Sequence, residues 1–345
     1  MQLYAAPLEG ITGYVFRNAF CKCFDNVDKY FIPFIQPNQK GHFSSREKQD
    51  VKPENNQGMY AVPQILTNSS EDFLRTAWKL QTAYGYREIN LNLGCPSKTV
   101  ISKKRGSGFL AYPDELERFL EEIFDKAEVE ISIKTRIGKE SPDEFANIIK
   151  IYNRFPVKEL IIHPRVQTDF YKNSPNLDVF QAAMESAKMP VCYNGDIFSI
   201  EDYERFTECF PQVDRIMLGR GLLKNPGLTR QIRQQIVLDK ETLKQFHDYL
   251  YEGYCQVLSG DRTILFKMKE LWGFLAPAFT SYEKYAKKIK KAEKLWVYEE
   301  IVEKLFMEQQ LIVDKMLTSR NFTTKSAHFL SQQSAIKTTR FNIRS

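Results

Sequence analysis

Residues 191–221 read VCYNGDIFSIEDYERFTECFPQVDRIMLGRG, and they contain the unit from which most of the chain is built. The two ends, Val191–Asn194 and Arg215–Leu218, are short apolar runs typical of strands covered on both faces. The segment Ser199–Phe210 between them predicts a helix. Each predicted strand ends in a glycine turn, Asn194-Gly195-Asp196 and Gly219-Arg220-Gly221. The stretch therefore predicts a strand, a helix and a second strand, with polar turns after both strands.

The same alternation extends towards the N-terminus. The candidate strands are Leu3–Pro7, Tyr30–Gln36, Tyr60–Leu66, Glu88–Leu93, Glu130–Thr135, Glu159–His163, Val191–Asn194 and Arg215–Leu218. The candidate helices are Glu71–Tyr84, Pro113–Lys126, Pro142–Phe155, Leu177–Ala187, Ser199–Phe210 and Pro226–Val237. Strands that alternate with helices in this way predict an α/β fold, a (β/α)8 TIM barrel with a packed interior.

The pattern changes near residue 245, where aromatic and aliphatic residues recur at helical spacing. We therefore expect a catalytic barrel over residues 1–240 and a small all-helical C-terminal domain over residues 245–313. Residues 314–345 are rich in Ser, Thr and Gln, which predicts a loosely ordered tail. The polar stretch Gln39–Gly58 predicts a surface excursion before the third strand.

The basic excess of the chain is concentrated towards its C-terminus. The net charge is +6 for 345 residues, and from residue 241 onward 17 Lys and Arg stand against 12 Asp and Glu. Such a segment favours a polyanionic partner, although ordinary solvated helix faces have the same composition. No apolar run approaches the roughly 18 residues of a membrane span, and the N-terminus lacks the features of a signal peptide. We expect a cytoplasmic protein without membrane contact.

The six cysteines form no CxxC pair, so the sequence suggests neither a disulfide framework nor a metal site. Cys192, Cys209 and Cys255 are expected to be small buried side chains. Cys95 differs, because it follows a predicted strand in the turn Gly94-Cys95-Pro96-Ser97. A thiol is mostly protonated at neutral pH, so an exposed cysteine in this position can donate a proton.

Polar residues stand at the C-terminal ends of the predicted strands, where α/β barrels build their active sites. Glycines after the seventh and eighth strands let backbone N–H groups approach a phosphate, and Arg220 adds a positive charge. Two tight turns are the structural alternative. Lys134 and His163 also stand at strand ends, where a lysine in a desolvated mouth requires an anion, such as a reduced flavin ring. His163 is alternatively a buried core histidine.

Taken together, these motifs resemble those of the tRNA-dihydrouridine synthase family, flavin enzymes that reduce uridine in tRNA to 5,6-dihydrouridine. The resemblance covers most of residues 1–310, and the order and spacing of the motifs agree. They are Ala6-Pro7-Leu8-Glu9-Gly10, Gln64 after Val62-Pro63, Asn90-Leu91-Asn92-Leu93-Gly94-Cys95-Pro96-Ser97-Lys98, Lys134-Thr135-Arg136, His163-Pro164-Arg165, Asn194-Gly195-Asp196-Ile197 and Gly219-Arg220-Gly221. The stretch around Cys95 is specific to that family, whereas the histidine and Gly-Arg elements occur in other flavin barrels.

The resemblance implies FMN at the barrel mouth and NADPH as its reductant. The phosphate would be held by Asn194, Gly195, Asp196, Gly219 and Arg220, and the ring framed by Pro7, Leu8, Glu9, Gln64, Lys134 and His163. Hydride would pass to C6 of the uracil while Cys95, as the catalytic acid, protonates C5. Asn92 and Arg165 would orient the base, and Lys103, Lys104, Arg105, Lys287, Lys288 and Lys291 would bind the tRNA. We expect a monomer that acts on a D-loop uridine.

The chain departs from the family pattern at Pro164, Val166 and Tyr193, and Phe109 follows Gly108 where the family has small residues. These departures concern loop geometry. The alternative function is that of an FMN barrel dehydrogenase acting on a free pyrimidine-like molecule, similar to dihydroorotate dehydrogenase, but such an enzyme needs no basic helical appendage. A non-enzymatic RNA-binding protein on a barrel scaffold is the third alternative, and it would not be expected to keep Cys95, Lys134 and His163.

Overall fold

A closed barrel of parallel strands organises the protein. The structure is a computed structural model that describes residues 1–24, 26–38 and 41–312. In these residues eight strands pair in sequence order and β8 closes on β1. The strands are β1 (Gln2–Ala5), β2 (Lys29–Ile35), β3 (Ala61–Ile65), β4 (Glu88–Leu93), β5 (Glu130–Arg136), β6 (Leu160–His163), β7 (Val191–Tyr193) and β8 (Arg215–Leu218). The predicted (β/α)8 barrel is confirmed.

Helices cover the outside of the barrel and continue beyond it. Those up to residue 234 are α1 (Tyr14–Phe24), α2 (Ser45–Val51), α3 (Ser70–Tyr84), α4 (Lys98–Ile101), α5 (Pro113–Lys126), α6 (Phe145–Tyr152), α7 (Leu177–Ser186), α8 (Ile200–Cys209), α9 (Arg220–Lys224) and α10 (Leu228–Gln234). Those that follow are α11 (Lys240–Val257), α12 (Asp261–Leu275), α13 (Glu283–Lys291) and α14 (Leu295–Glu308). In the part of the chain that the structure describes, no helix combines the length and apolarity needed to span a bilayer.

Charged side chains close the N-terminal end of the barrel. Lys29 lies 3.2 Å from both Glu88 and Glu159, and Arg215 lies 2.9 Å from Glu159. These residues stand at the starts of β2, β4, β6 and β8, so they form one layer contributed by alternate strands, as barrel interiors do. Above them lies an apolar cluster of Tyr4, Ala6, Phe31, Val62, Ile161, Cys192 and Met217. The barrel therefore opens only at its C-terminal mouth.

The C-terminal helices pack directly on the barrel. Phe246 of α11 contacts Phe16, Phe20 and Phe24 of α1, with ring centroids 5.3–6.0 Å apart. Asp239 caps α11 by accepting a hydrogen bond from the backbone N–H of Thr242. Helix α11 starts at Lys240, so it spans the boundary between the barrel and the helical domain that we assign to 1–240 and 245–313. The predicted tail, 314–345, lies outside the described residues.

The structure differs from or adds to the expectations in three places. The described part of the predicted surface excursion, residues 41–58, is mostly exposed, but it contains α2 and a 3-10 turn, Pro53–Asn56, and it buries Asp50, Val51 and Asn56. The predicted helix over 226–237 is shorter, because α10 ends at Gln234. Cys192 is buried as expected, but Cys209 and Cys255 are exposed.

Candidate active site

The turns after β7 and β8 form one end of a pocket at the barrel mouth. Its lining includes Ala6, Pro7, Leu8, Lys134, His163, Tyr171, Asn194, Gly195, Asp196, Phe198, Gly219, Arg220 and Gly221. Asn194 is anchored from below, since its Nδ2 donates to the carbonyl of Met217 at 2.8 Å. In the described residues, the backbone N–H groups of Gly195, Asp196 and Arg220 donate to no backbone carbonyl. These free donors suit a phosphate.

Asp196 holds two arginines at this end of the pocket. Arg220 Nη2 donates to Asp196 Oδ1 at 2.6 Å, and Arg165 pairs with both oxygens of the same carboxylate. Arg220 remains partly exposed, whereas Arg165 is 1% exposed. Asp196 therefore orients the guanidinium groups, and only Arg220 presents part of its surface to the pocket.

A steric contact explains the glycine at position 195. A Cβ built on Gly195 would lie 2.0 Å from Oη of Tyr193, which is closer than any real contact. The Tyr193 ring is fixed because it stacks on Phe206 with centroids 3.9 Å apart. The departure from the family pattern at Tyr193 is thus accommodated by the missing side chain at Gly195.

Lys134 is a cation without a partner in the mouth. It projects from β5 into the pocket, is half-buried, and forms no ion pair or hydrogen bond through its amine with any described residue. Burial, and then the adjacent Arg136, lower the pKa of Lys134 to about 8. An anionic ligand would stabilise the protonated amine, because the protein itself places no negative charge beside it.

His163 is neutral, and its tautomer follows from its partner. Arg165 Nη1 lies 2.9 Å from Nε2 of His163, and a guanidinium has no acceptor, so Nε2 must accept. Burial and four surrounding cations hold the pKa of His163 well below its usual value. The ring proton therefore resides on Nδ1. His163 lines the same pocket as Lys134.

A chain of amide hydrogen bonds crosses the other half of the mouth. Asn92 Nδ2 donates to Gln64 Oε1 at 2.7 Å, and Gln64 Nε2 donates to Asn90 Oδ1 at 2.7 Å. Asn90 Nδ2 then donates to Ser132 Oγ at 2.9 Å. The direction of this chain is fixed at Asn92, because its Oδ1 accepts from two backbone N–H groups.

Those two N–H groups belong to the loop that carries Cys95. Gly94 N and Cys95 N donate to Asn92 Oδ1 at 3.0 and 2.9 Å. On the other side, Ser107 donates to the Cys95 carbonyl from its N–H and its hydroxyl, at 3.1 and 2.9 Å. Gly106 has a φ of +56°, and a Cβ there would lie 2.7 Å from the same carbonyl. The cysteine backbone is therefore held from both sides.

The Cys95 thiol is held in its protonated form. Burial raises the pKa of Cys95, and the Ser97 N–H opposes this shift only in part. The sulfur packs beside Phe34, Leu66 and Val100 and interacts electrostatically with Lys134, which places it at the same mouth. The geometry therefore suits a proton donor rather than a thiolate nucleophile.

Two residues at the mouth were missed by the sequence analysis as site residues. Arg136 is 1% exposed and donates to the carbonyls of Gly94 at 3.0 Å, Val166 at 2.9 Å and Phe170 at 2.6 Å. It ties the loop of Cys95 to the loop after β6. Tyr171 in that loop lies under Arg220, with 4.6 Å between guanidinium and ring centroid, and half of it is exposed.

The remaining predicted site residues lie on loops after the strands and on helix α13. Pro7 and Leu8 line the pocket, and Glu9 is half-exposed 3.9 Å from Arg46. Lys103 is exposed, Lys104 pairs with Glu115 at 3.3 Å, and Arg105 Nε donates to Asn68. Lys287, Lys288 and Lys291 are exposed on α13 of the helical region.

The fold and this mouth define a (β/α)8-barrel protein with free backbone N–H groups and an arginine after its seventh and eighth strands, and with a cysteine of fixed backbone across the mouth. Its sequence matches the family model described as dihydrouridine synthase over residues 4–321. The chain therefore belongs to the dihydrouridine synthase family, as the motifs predicted.

Curated relatives agree with this assignment. The chain is 28% identical over 244 residues to tRNA-dihydrouridine synthase B of Pasteurella multocida, covering 70% of this chain and 72% of the relative. It is 29% identical over 240 residues to tRNA-dihydrouridine(16) synthase of Pseudomonas putida, covering 67% and 73%. Among solved structures, histamine dehydrogenase of Rhizobium sp. 4-9 superposes with a TM-score of 0.50 at 11% identity, over 74% of this chain and 48% of that one, which is a likeness of fold.

Proposed function

We propose that the protein is an FMN-dependent tRNA-dihydrouridine synthase that reduces a D-loop uridine in tRNA to 5,6-dihydrouridine, with NADPH as the reductant. The observation that best supports this proposal is that a protonated Cys95 thiol and an unpartnered Lys134 amine lie at the same barrel mouth. An acid and a site for an electron-rich ring are what the addition of H⁻ and H⁺ across C5=C6 requires. The curated names of the two relatives support tRNA as the substrate.

The residues present fit a flavin mononucleotide. The free N–H groups of Gly195 and Asp196, together with Arg220, suit its phosphate. Lys134 supplies the missing positive charge beside the ring, and the Nδ1–H of His163 supplies a donor. Pro7 and Leu8 line the same pocket, whereas Gln64 lies buried in the chain of amide hydrogen bonds. When bound, reduced FMN supplies the hydride that reaches C6 of the uracil.

The protein's own residues then perform the proton transfer and the positioning. Cys95 donates its thiol proton to C5 of the uracil, and the resulting thiolate regains a proton from solvent. Asn92 keeps the thiol in place because its Oδ1 accepts hydrogen bonds from the backbone N–H groups of Gly94 and Cys95. The net reaction consumes uridine, NADPH and one proton and yields dihydrouridine and NADP⁺.

The tRNA must present its uridine as a flipped base, which costs a few kcal/mol that backbone contacts offset. Lys103, Lys104, Arg105, Lys287, Lys288 and Lys291 are exposed or near-exposed cations that we assign to those contacts. We assign Arg165 to the support of the base only through Asp196 and His163, because its guanidinium is buried between them. The cytoplasm, where tRNA is found, is the proposed location, and a monomer the proposed state.

The test compares the wild type with Cys95→Ala and with the matched control Cys209→Ala, which removes an exposed cysteine from α8. Purified proteins are incubated with unmodified tRNA, FMN and NADPH, and dihydrouridine is quantified and mapped by sequencing. We expect modification by the wild type and by Cys209→Ala, and a loss of at least about 100-fold in Cys95→Ala with flavin content unchanged.

Two results would contradict the proposal. A wild type that binds FMN but leaves tRNA unmodified, and instead oxidises or reduces a free pyrimidine, would establish the dehydrogenase alternative. A wild type that binds no FMN would remove the cofactor assignment altogether.

A further inference from the structure

Helix α12 exposes an aromatic side chain on its solvent face. Its inner face buries Leu265, Met268 and Trp272, yet Phe266 is 66% exposed. Within the described residues, Phe266 contacts no other aromatic ring. Packing in the fold therefore does not explain a phenylalanine at this position.

Cations surround this ring. Arg262, Phe266 and Lys269 are spaced by four and three residues, so they share one face of α12. Lys294, at the start of α14, lines the same groove. One acidic residue, Glu293, also belongs to the residues that line it. In the part of the chain that the structure describes, Arg262 and Lys294 have no ion-pair partner. The groove thus combines an exposed aromatic face with uncompensated positive charge.

The groove continues towards the loop after β1. It shares Leu258 and Lys267 with a second cavity, which lies between the helices and the barrel and includes Gly10 and Arg46. Lys267 Nζ donates to the Gly10 carbonyl at 2.5 Å, and Gly10 follows the predicted flavin-site residues Leu8 and Glu9. A tRNA segment bound beside the loop after β1 can therefore continue along these two cavities to Phe266.

We infer that Phe266 is a stacking platform for an unpaired base of the tRNA, and that Arg262, Lys269 and Lys294 bind the phosphates on either side of that base. This inference rests on the proposed function, since it assigns a second contact to the same tRNA. Extrusion of the target uridine unstacks its neighbours, and an aromatic face accepts any base. Aromatic residues interleaved with cations are the combination that single-stranded nucleic acid requires.

The test measures tRNA binding by Phe266→Ala, Phe266→Trp and the matched control Trp78→Ala. Trp78 is 64% exposed on α3, so its removal deletes a comparable aromatic surface elsewhere. We expect Phe266→Ala to weaken the Kd for unmodified tRNA by on the order of ten-fold, while Phe266→Trp and Trp78→Ala stay within about two-fold of the wild type. The KM for tRNA rises in Phe266→Ala, and kcat at saturating tRNA does not change.

Salt dependence separates the stacked ring from its charged neighbours. Arg262→Gln should reduce the slope of log Kd against log salt by about one, because one phosphate contact is lost. Phe266→Ala should leave that slope unchanged, since stacking releases no counterion. Both side chains are exposed, so neither variant disturbs the core.

The outcomes distinguish this site from the proposed function. If the wild type forms dihydrouridine but Phe266→Ala binds tRNA as tightly as Trp78→Ala, the platform is refuted and the synthase stands. If Phe266→Ala changes the oligomeric state in sedimentation without changing the Kd for tRNA, the ring is a protein contact and the inference is overturned. If the wild type forms no dihydrouridine and binds no tRNA, both proposals fail.

Discussion

Replacing Asn92 by Ala removes the support of the Cys95 loop without touching the thiol. The side chain is 6% exposed and makes three hydrogen bonds, two from the N–H groups of Gly94 and Cys95 and one to Gln64. Each such bond contributes about 1 kcal/mol net, so we expect Asn92→Ala to lower the free energy of unfolding by about 2–3 kcal/mol. Urea denaturation of the full chain measures this loss.

The catalytic loss should exceed the loss of stability. Once its N–H groups lose their acceptor, the Cys95 loop shifts, and a displacement of about 1 Å of a reacting group costs on the order of 100-fold in rate. Single-turnover reduction of tRNA uridine by pre-reduced enzyme isolates this step. Reduction of the flavin by NADPH, which does not involve Cys95, should proceed at the wild-type rate in Asn92→Ala.

A double variant tests whether Asn92 acts through Cys95. If it does, Asn92→Ala should add little to Cys95→Ala, because effects on one functional unit do not add. If Asn92 instead binds the uracil itself, as the family resemblance implies, the two losses multiply and the KM for tRNA rises. Multiplying losses with unchanged stability would refute the positioning role derived from the hydrogen bonds.

Three further changes test other parts of the structure. Because burial lowers the pKa of Lys134 to about 8, its amine is charged below that pH and neutral above it. FMN affinity, followed by fluorescence, should therefore fall from pH 7 to pH 9 in the wild type but not in Lys134→Met. Equal pH profiles of the two proteins would contradict this role of Lys134. Gly195→Ala places a Cβ against the Tyr193 hydroxyl and should reduce FMN affinity at least about ten-fold, but much less in a Tyr193→Ala background; equal losses in both backgrounds would exclude that clash as the cause. Arg17→Met leaves the buried Asp50 carboxylate without its ion-pair partner at 3.6 Å, so urea denaturation should show that the free energy of unfolding falls by about 3 kcal/mol or more. The control Lys22→Met, on the exposed side of α1, should lower it by under about 1 kcal/mol. Unchanged stability of Arg17→Met would show that Asp50 does not depend on this pair.

The barrel could be predicted because its signals are local. Several strands are short apolar runs, and the glycine turns after β7 and β8 mark the mouth. Helix α2, which was not predicted within residues 39–58, also has a local sequence signal. Ser44 and Glu47 form a capping box, in which Ser44 N donates to Glu47 at 2.7 Å, and this spacing is an N-terminal signal of a helix. The abundance of polar residues hid that signal.

The support of the site could not be predicted, because it depends on contacts between distant loops. Arg136 joins the loops after β4 and β6, and Arg165 meets Asp196 across 31 residues. Arg136 ends β5 and Arg165 follows β6, where polar residues are expected at the barrel mouth. The sequence alone therefore does not show that their side chains are buried. Likewise, the exposure of Phe266 results from the way α12 packs, whereas its sequence neighbours indicate only an amphipathic helix.

The charged layer at the closed end of the barrel also affects how the chain folds during synthesis. Lys29 lies between two carboxylates, and the second cation of the layer, Arg215, is contributed by the last strand of the barrel. Until the ribosome has released residue 215, Glu159 pairs with Lys29 but lacks Arg215, so a nascent barrel of seven strands would bury this carboxylate with one of its two ion pairs missing. Desolvating a carboxylate that lacks part of its ion pairing is costly, so we expect the barrel to close in one late step, after β8 has left the exit tunnel.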